Sequence, residues 1–258
     1  MSVVSRLNAG SSSLVSRVCD ALHNIYWSGT IHGFPAKEPM SSLSLYATRE
    51  WFTDTQQSQL IELLRSDILN CGRALQDEVC DVWMMELIRA AWREQEKYAQ
   101  PDTFQQYPRA KTMGAVLAAG EREQLAITVN LHNLHWVSAV IKCKESQILW
   151  GDPFKAKPDS DSKRALDWWT FHHTGRQFSW GKLEVPMQKD GHNCGILSHS
   201  GFRHLFLNTP LINGKGNGPG DARLEVMLRI IGRHLDVSSN SSVQINGHSR
   251  LRRIGTGR

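Results

Sequence analysis

Cys194 is the residue of this sequence best placed to act as a nucleophile. It precedes Gly195 and residues 196–206, whose apolar pattern predicts a helix. At a helix N-terminus the peptide dipoles favour the thiolate, which is the reactive form of the side chain. Gln188, six residues upstream on a glycine-containing loop, can donate its amide to a developing oxyanion alongside the backbone N–H of Cys194. These residues indicate acyl transfer through a cysteine.

A histidine and a carboxylate that can activate this cysteine occur on a predicted hairpin. Alternating apolar residues predict a strand that begins at His135 and a return strand that leads to Asp152. If the turn is centred between Cys143 and Lys144, these two residues lie opposite each other, and a turn centred one residue later brings position 154 opposite the histidine instead. Directly opposed Cβ atoms lie about 4.5–5.5 Å apart. The hairpin therefore predicts a histidine held by an aspartate, which is a prepared general base.

Each of these residues also has an ordinary interpretation as a core or surface residue. Cys71 is likewise followed by a glycine, but Arg65 occupies the position six residues upstream of it. A zinc site is a further alternative, although its spacings match no strong template; its ligands would be His132, His135, His192 and His199. We expect no metal and no cofactor.

The periodicity of the apolar residues predicts the elements that position these groups. Predicted helices begin at Asp54 and Cys194, and two more cover residues 76–98 and 221–235. Predicted strands cover residues 125–131 and 135–141 and begin again at Ile148. Residues 213–220 hold four glycines and a proline and are predicted to form a loop.

Length and composition suit one globular domain with short extensions, since 40% of the 258 residues are hydrophobic and 21% are charged. We predict a loosely ordered N-terminal extension over residues 1–40, a catalytic domain over 41–235 and a basic, disordered tail over 236–258. The sequence contains neither a membrane-length apolar run nor a signal-peptide pattern. We therefore expect an intracellular protein, nuclear or cytoplasmic.

Charge and cysteine content argue against several classes of protein. The net charge is +5, and four arginines lie in the tail, so the body is nearly neutral and carries no basic stripe interleaved with aromatics. Nucleic acid is therefore not an expected partner, and Arg250, Arg252 and Arg253 indicate a solvated tail, with nuclear import or phosphate binding as the alternative. Five cysteines without C-x-x-C spacing argue against a disulfide framework or a zinc knuckle.

Four separated segments together resemble one protein family. Trp51-Phe52-Thr53-Asp54 is similar to the family's Trp-Leu-Asn-Asp motif. Ile127-Thr128-Val129-Asn130 with His135-Trp136 is similar to its Ile-Pro-Val-Asn strand and His-Trp pair. Trp150-Gly151-Asp152 resembles the strand that ends in the catalytic aspartate, and residues 188–195 resemble the Gln-x-Asn-Gly-x-Asp-Cys-Gly box. On these motifs the sequence, from about residue 43 to 235, resembles the ubiquitin-like-protein-specific cysteine proteases, the SUMO or sentrin protease family of the papain-like group.

The resemblance implies an α+β, papain-like fold, with a central, mostly antiparallel sheet flanked by helices and the nucleophile at a helix N-terminus. It implies Cys194 as nucleophile, His135 as general base and acid, Asp152 as the group that orients the histidine, and Gln188 as oxyanion donor. The implied partner is a ubiquitin-like modifier of the SUMO type and its conjugates, cleaved after the terminal Gly-Gly without a cofactor.

The resemblance also implies substrate-binding residues, namely Trp51, Asp54 and Trp136. The two tryptophans would close over the Gly-Gly tail of the modifier, and their alternative is an ordinary place in the core. The sequence departs from the family motifs at four positions, none of them catalytic: Thr53, Thr128, Asp190 and Asn193.

Two other functions use the same residues. An acyltransferase related to bacterial effector acetyltransferases has the same order of histidine, acid and cysteine, but the paired tryptophans and the spacing from glutamine to cysteine argue against it. A catalytically silent module that only binds a modifier is the second alternative. The complete set of His135, Asp152, Gln188 and Cys194 argues against that module.

Overall fold

The computed structural model describes residues 12–213 and 218–251, which divide into two compact units. The terminal unit combines the described residues up to Glu50 with those after residue 217, and the central unit spans Trp51–Asn213. Parts of three sequence predictions lie outside the described residues: the start of the N-terminal extension, the middle of the loop at 213–220, and the last arginines of the tail.

The terminal unit contains two α-helices and a 3-10 helix. These are α1 (Ser12–His23), the 3-10 helix Met40–Ala47 and α8 (Pro219–Leu251). Helix α1 lies within the segment predicted to be loosely ordered, and it buries Leu14 and Val18. Helix α8 includes the predicted helix 221–235 and continues to Leu251, through much of the segment predicted to be a disordered tail. No helix in residues 12–213 and 218–251 is long and apolar enough to span a bilayer.

The central unit is built on a mixed five-stranded sheet in the order β1-β2-β3-β4-β5. The strands are β1 (Asp77–Val79), β2 (Gln124–Leu131), β3 (His135–Lys142), β4 (Gln147–Gly151) and β5 (Ser179–Lys182). The inner pairings β2–β3 and β3–β4 are antiparallel, whereas the outer pairings β1–β2 and β4–β5 are parallel. The predicted α+β class is confirmed, and the sheet is mixed because parallel strands close both of its edges.

Helices cover both faces of this sheet. They are α2 (Asp54–Asn70), α3 (Met84–Arg93), α4 (Gln95–Tyr98), α5 (Pro108–Ala119), α6 (Ser160–Thr174) and α7 (Cys194–Leu207). On β3, Val137, Ala139 and Ile141 pack in the cluster that α3, α5 and α6 complete. Trp136 and Val140 point to the opposite face and pack with α2 and α7. The inner strands are therefore buried on both faces.

The helix predicted over residues 76–98 is wrong in its first third. Residues Asp77–Val79 form β1, which pairs in parallel with Gln124–Ala126 of β2, and only Met84–Arg93 and Gln95–Tyr98 are helical. The hydrogen bonds that hold β1 come from a strand more than forty residues away in sequence. Apolar periodicity reports local structure and carries no information about such a partner.

The β3–β4 hairpin has the alternative of the two registers considered, the one that brings position 154 opposite position 135. The ladder pairs Lys142 with Gln147 and Ser138 with Gly151, a shift of two residues from a turn centred between Cys143 and Lys144. A two-residue shift leaves every side chain on its own face of the sheet. The core pattern was therefore compatible with either register, and the length of the turn decided between them.

Helix α7 packs very closely against the segment that follows β5. A Cβ added to Gly201 would lie 2.4 Å from Val185 Cγ1 and 2.9 Å from the backbone oxygen of Glu184. We expect Gly201→Ala to lower the free energy of unfolding by about 1–3 kcal/mol, because the backbone oxygen cannot move aside as a side chain can. Urea denaturation followed by circular dichroism measures this change.

Gly232 of α8 provides the matched control. No described heavy atom lies within 4 Å of a Cβ placed there, so Gly232→Ala adds helix propensity without a clash. We expect it to raise the free energy of unfolding by roughly 0.5–1 kcal/mol. If Gly201→Ala and Gly232→Ala had the same effect, close packing at Gly201 would be excluded.

Candidate active site

Helix α7 begins at Cys194, which confirms the predicted helix and places the sulfur at its N-terminus. The residue is 1% exposed and packs with Trp136, Phe202 and the residues of α2 that line the same side of the sheet. Gly195 lets α2 approach closely, because a Cβ there would lie 2.3 Å from Gln57 Nε2. The nucleophile candidate is therefore almost fully buried where α2, α7 and β3 pack together.

His135 and Asp152 are hydrogen bonded, as the sequence predicts, although they are not opposite each other in the ladder. His135 Nε2–H donates to Asp152 Oδ1 at 2.8 Å, and the aspartate side chain is only 2% exposed. The contact forms because β4 ends at Gly151 and Asp152 begins a turn, in which the backbone N–H of Lys155 donates to the backbone oxygen of Asp152 at 2.8 Å. In this turn the backbone N–H of Phe154 donates to the same Asp152 Oδ1 at 2.7 Å, which fixes the carboxylate.

The ring of His135 lies between Asp152 and Cys194. Its Nε2–H is used by the carboxylate, and the Cys194 side chain is the other group that interacts with the ring. Burial lowers the pKa of His135, but the hydrogen bonds to Asp152 and Cys194 outweigh burial and raise it to about 9. The ring therefore holds a second proton at neutral pH, as a thiolate–imidazolium pair requires.

Two serines that sequence analysis did not single out join the strand of the histidine to the helix of the cysteine. Ser138 Oγ of β3 donates to the backbone oxygen of Ser198 in α7 at 2.9 Å. Ser198 Oγ donates in return to the backbone oxygen of Trp136 at 2.7 Å. Both serines are almost fully buried, so this reciprocal pair fixes the position of α7 relative to β3. Isolated serines give no signal of this role in a sequence.

Gln188 is buried on the loop that leads to α7, where its amide contacts Asp190. Its Nε2 donates to the backbone oxygen of Asp190 at 2.7 Å, and its own backbone N–H donates to Pro153 at 2.9 Å. A second contact from Nε2 to Asp190 Oδ1 is 3.4 Å long, which is weak for a hydrogen bond. The loop thus links the oxyanion-donor candidate both to the turn after Asp152 and to the residues before Cys194.

Two departures from the family box compensate each other. Asp190 and Asn193 stand where the box has Asn and Asp, and Asn193 Nδ2 donates to Asp190 Oδ2 at 2.8 Å. Asp190 Oδ1 also accepts the backbone N–H groups of His192 and Asn193, both at 3.0 Å. Burial raises the pKa of Asp190, but these hydrogen bonds outweigh it and lower the pKa below its usual value. The amide and the carboxylate therefore form a hydrogen bond that shapes the nucleophile loop.

The two candidate tunnel tryptophans occupy different environments. Trp51 is 38% exposed, and its indole N–H donates to the backbone oxygen of Gly191 in the nucleophile loop. Trp136 is 3% exposed, and its indole N–H donates to the backbone oxygen of Phe52 at 2.6 Å. Trp51 is therefore accessible beside the loop that leads to Cys194, whereas Trp136 is a core residue beside the same cysteine.

The first motif forms the start of α2. Thr53 caps the helix, with its hydroxyl accepting from Thr55 N and its backbone N–H donating to Gln56 Oε1. Thr and Asn both serve as N-caps, so this departure from the family keeps the local structure. Asp54 is the first helical residue, and burial, then the charge of Glu86, raises its pKa. No described contact joins its carboxylate to the triad candidates, so its substrate-binding role stays a prediction.

Phe154 is a site residue that sequence analysis missed. Its ring stacks on His135 with centroids 4.7 Å apart and planes 21° apart, yet the side chain is 54% exposed. The observed register explains the contact, because extending the β3–β4 ladder brings position 154 opposite position 135. The alternative turn, centred one residue later, had already placed position 154 opposite position 135 and was the indication of this contact in the sequence.

We expect Phe154→Ala to slow alkylation of Cys194 by iodoacetamide at neutral pH about three- to tenfold. The face of an aromatic ring stabilises a cation stacked on it, by roughly 0.5–2 kcal/mol, so its loss weakens the imidazolium that supports the thiolate. Mass spectrometry of the Cys194 peptide measures the rate. Phe154→Tyr keeps the ring and should react like the unaltered chain.

Phe171 of α6 supplies the control for this prediction, because it is 52% exposed and lies outside the site. Phe171→Ala should leave the alkylation rate unchanged. Equal rates for Phe154→Ala and Phe171→Ala would show that the stacked ring does not influence the histidine.

The alternative zinc site does not form. Within residues 12–213 and 218–251, no group of three or more His, Cys, Asp or Glu side chains is arranged to hold a metal ion. His199 is instead buried within α7. His192 pairs with Asp190 at 3.6 Å, on the nucleophile loop.

Comparison with solved structures identifies the fold. The C-terminal Ulp1 protease domain in complex with Smt3, the yeast ortholog of SUMO, aligns over 86% of this chain and 96% of its own with a TM-score of 0.60 and 16% identity. A de-sumoylating protease aligns over 85% and 96% with a TM-score of 0.62 and 13% identity. The Ulp1-like SUMO protease catalytic domain of Chaetomium thermophilum aligns over 88% and 89% with a TM-score of 0.54 and 14% identity.

Neither the protein-family models nor the curated protein sequences give a match to this chain. The similarity to the solved structures is therefore one of three-dimensional arrangement, and it confirms the resemblance drawn from the four motifs at that level. The chain has the fold of the Ulp1-like SUMO protease domains.

Proposed function

We propose that the chain is a cysteine protease that hydrolyses the bond after the C-terminal Gly-Gly of a ubiquitin-like modifier of the SUMO type. The observation that carries the proposal is the arrangement of His135 between the Asp152 carboxylate and the Cys194 side chain, with the cysteine at the N-terminus of α7. A charged histidine beside a thiol at a helix N-terminus is the arrangement that generates a reactive thiolate.

The reaction then proceeds in two stages. The Cys194 thiolate attacks the glycine carbonyl carbon, and the oxyanion accepts the Cys194 backbone N–H and the Gln188 amide N–H that is only weakly engaged. His135 gives its proton to the leaving amine as the C–N bond breaks, which leaves a thioester and a neutral ring. The neutral ring takes a proton from water, and the resulting hydroxide attacks the thioester. The C–S bond breaks to regenerate the thiolate, and the carboxylic acid product leaves and gives its proton to the solvent.

The burial of the nucleophile favours a substrate without side chains next to the cleaved bond. Cys194 is 1% exposed, so a polypeptide reaches its sulfur only if it is narrow at that point. Gly-Gly is the narrowest dipeptide, and Trp51, tied to Gly191 of the nucleophile loop, is suitably placed to cover it. The SUMO ortholog bound to the yeast Ulp1 domain of the same fold supports the choice of a SUMO-type modifier.

A panel of electrophilic probes tests the proposal. SUMO, a NEDD-type modifier and ubiquitin, each carrying an electrophile in place of the terminal carboxylate, are incubated with the chain and separated on a denaturing gel. We expect the SUMO probe to form a covalent adduct with Cys194 faster than the other two. An adduct with ubiquitin alone would overturn the choice of modifier, and no adduct with any probe would overturn the protease assignment.

Cys71 makes this experiment specific. It is an exposed free thiol that is also followed by a glycine, but it lies at the end of α2. Cys71→Ala should leave the adduct unchanged, whereas Cys194→Ala should abolish it. Labelling that depends on Cys71 would reveal chemistry unrelated to the proposed site.

A further inference from the structure

A cavity of about 290 Å³ is lined by Asp152 and by residues that follow β4 and end β5, and neither Cys194 nor His135 belongs to its lining. Its wall includes Trp150 and Leu183, and three lysines belong to its lining: Lys155, Lys157 and Lys182. The lysines come from the loop after β4 and from the end of β5, so two separate chain segments bring positive charge to one concave surface.

The three lysines of this cavity form no ion pair with an acid in the described part of the chain, although the Asp152 carboxylate belongs to the lining. The lysines that form ion pairs in the described part of the chain are others: Lys97, Lys142, Lys144 and Lys163. Asp152, the acid in the wall, already accepts from His135 and from the backbone N–H of Phe154. Glu184 beside the cavity is 72% exposed and pairs with His204 at 3.7 Å.

The backbone and the side chain of Lys155 are both fixed at the cavity. Its φ of 62° is in the left-handed region, which a residue with a side chain adopts only when its surroundings impose it. Its Nζ–H donates to the backbone oxygen of Val185, which fixes the ammonium at the cavity. Burial, and then the charge of Lys182, lowers the pKa of Lys155, and the more distant charges of Asp152 and Glu184 only partly compensate. An anion between these two lysines would relieve their repulsion.

We propose that this cavity binds a small phosphorylated ligand, whose phosphoryl group contacts Lys155, Lys157 and Lys182. The lining contains three lysines, and lysine ammonium groups bind phosphate as point charges. The volume is that of a small-molecule site and too small for a folded partner.

Isothermal titration calorimetry of the full chain with sodium pyrophosphate, at low ionic strength and without divalent cations, tests the site. We expect saturable binding to one site, weakened several-fold by added salt. The double variant Lys157→Gln/Lys182→Gln should weaken binding at least tenfold. Lys155 is unchanged in this variant because its side chain also joins the loop after β4 to the backbone of Val185.

The double variant Lys142→Gln/Lys144→Gln is the matched control, since it removes the same charge from the turn between β3 and β4. It should bind pyrophosphate like the unaltered chain. Absence of saturable binding, or equal weakening by both double variants, would overturn the site, and equally tight binding of citrate would overturn the phosphoryl assignment. The measurement involves neither Cys194 nor cleavage, so its outcome is independent of the proposed protease activity.

Discussion

Replacing the proposed nucleophile should give the largest loss of activity. We expect Cys194→Ala to reduce hydrolysis of a SUMO-type substrate with a fluorogenic amine after Gly-Gly by a factor on the order of 10⁴ or more, because no covalent intermediate can form. Residual turnover would come from binding and from the oxyanion donors alone. Release of the fluorophore at saturating substrate measures the effect.

The same variant should still fold and bind. Cys194 sits at the first position of α7 and its side chain is small, so alanine leaves the helix and the serine pair between β3 and α7 in place. Circular dichroism should match that of the unaltered chain, and the modifier should retain its affinity in calorimetry. Turnover close to the unaltered rate in Cys194→Ala would exclude the cysteine mechanism, whatever the fold.

The sequence predicted the start of α7 and the contact between His135 and Asp152 better than the framework around them. Helix α7 at Cys194 and the contact between His135 and Asp152 both follow from short local patterns. Local patterns suffice there because a helix N-terminus and a strand end each need only a few residues to be recognised. The contact forms although the ladder is shifted by two residues, because the turn after Gly151 places the Asp152 carboxylate beside the His135 ring.

The remaining features depend on contacts between distant residues. Strand β1 exists because β2 accepts it as a parallel neighbour, and the close approach at Gly201 depends on where Val185 lies. Asp190 and Asn193 are close in sequence, and each taken alone is a departure from the family motif. Their hydrogen bond is evident only from the positions of the two side chains. Side-chain partners of this kind have no signature in composition or periodicity.

Replacing the proposed base should produce the second large effect. We expect His135→Ala to lower hydrolysis of the same substrate about 10³- to 10⁴-fold, because the variant lacks both the acid for the leaving amine and the cation that supports the thiolate. Alkylation of Cys194 by iodoacetamide at pH 7 should fall as well. Added imidazole should restore part of the hydrolysis if the cavity left by the ring admits it.

The pH dependence separates this role from a structural one. The pKa of His135 is raised to about 9 from an ordinary value of 6.5, so the imidazolium persists through neutral pH and is lost as the pH rises through 9. Because the pKa in the folded chain lies above the ordinary value, the charged ring contributes its full stabilisation below pH 6.5. This contribution is lost as the pH rises to about 9. In the unaltered chain we expect hydrolysis to fall on the alkaline side near pH 9.

In His135→Ala the alkylation of Cys194 should instead increase with pH through the neutral and alkaline range, because the thiolate then forms without a charged ring beside it. His23→Ala is the control, because His23 is an exposed residue at the end of α1 in the terminal unit. His23→Ala should leave the rate of hydrolysis and the pH dependence of Cys194 alkylation as they are in the unaltered chain. If the alkylation of Cys194 depended on pH in the same way in His135→Ala and in the unaltered chain, the thiolate would be stabilised by the helix N-terminus alone. The imidazole would then have no part in its activation.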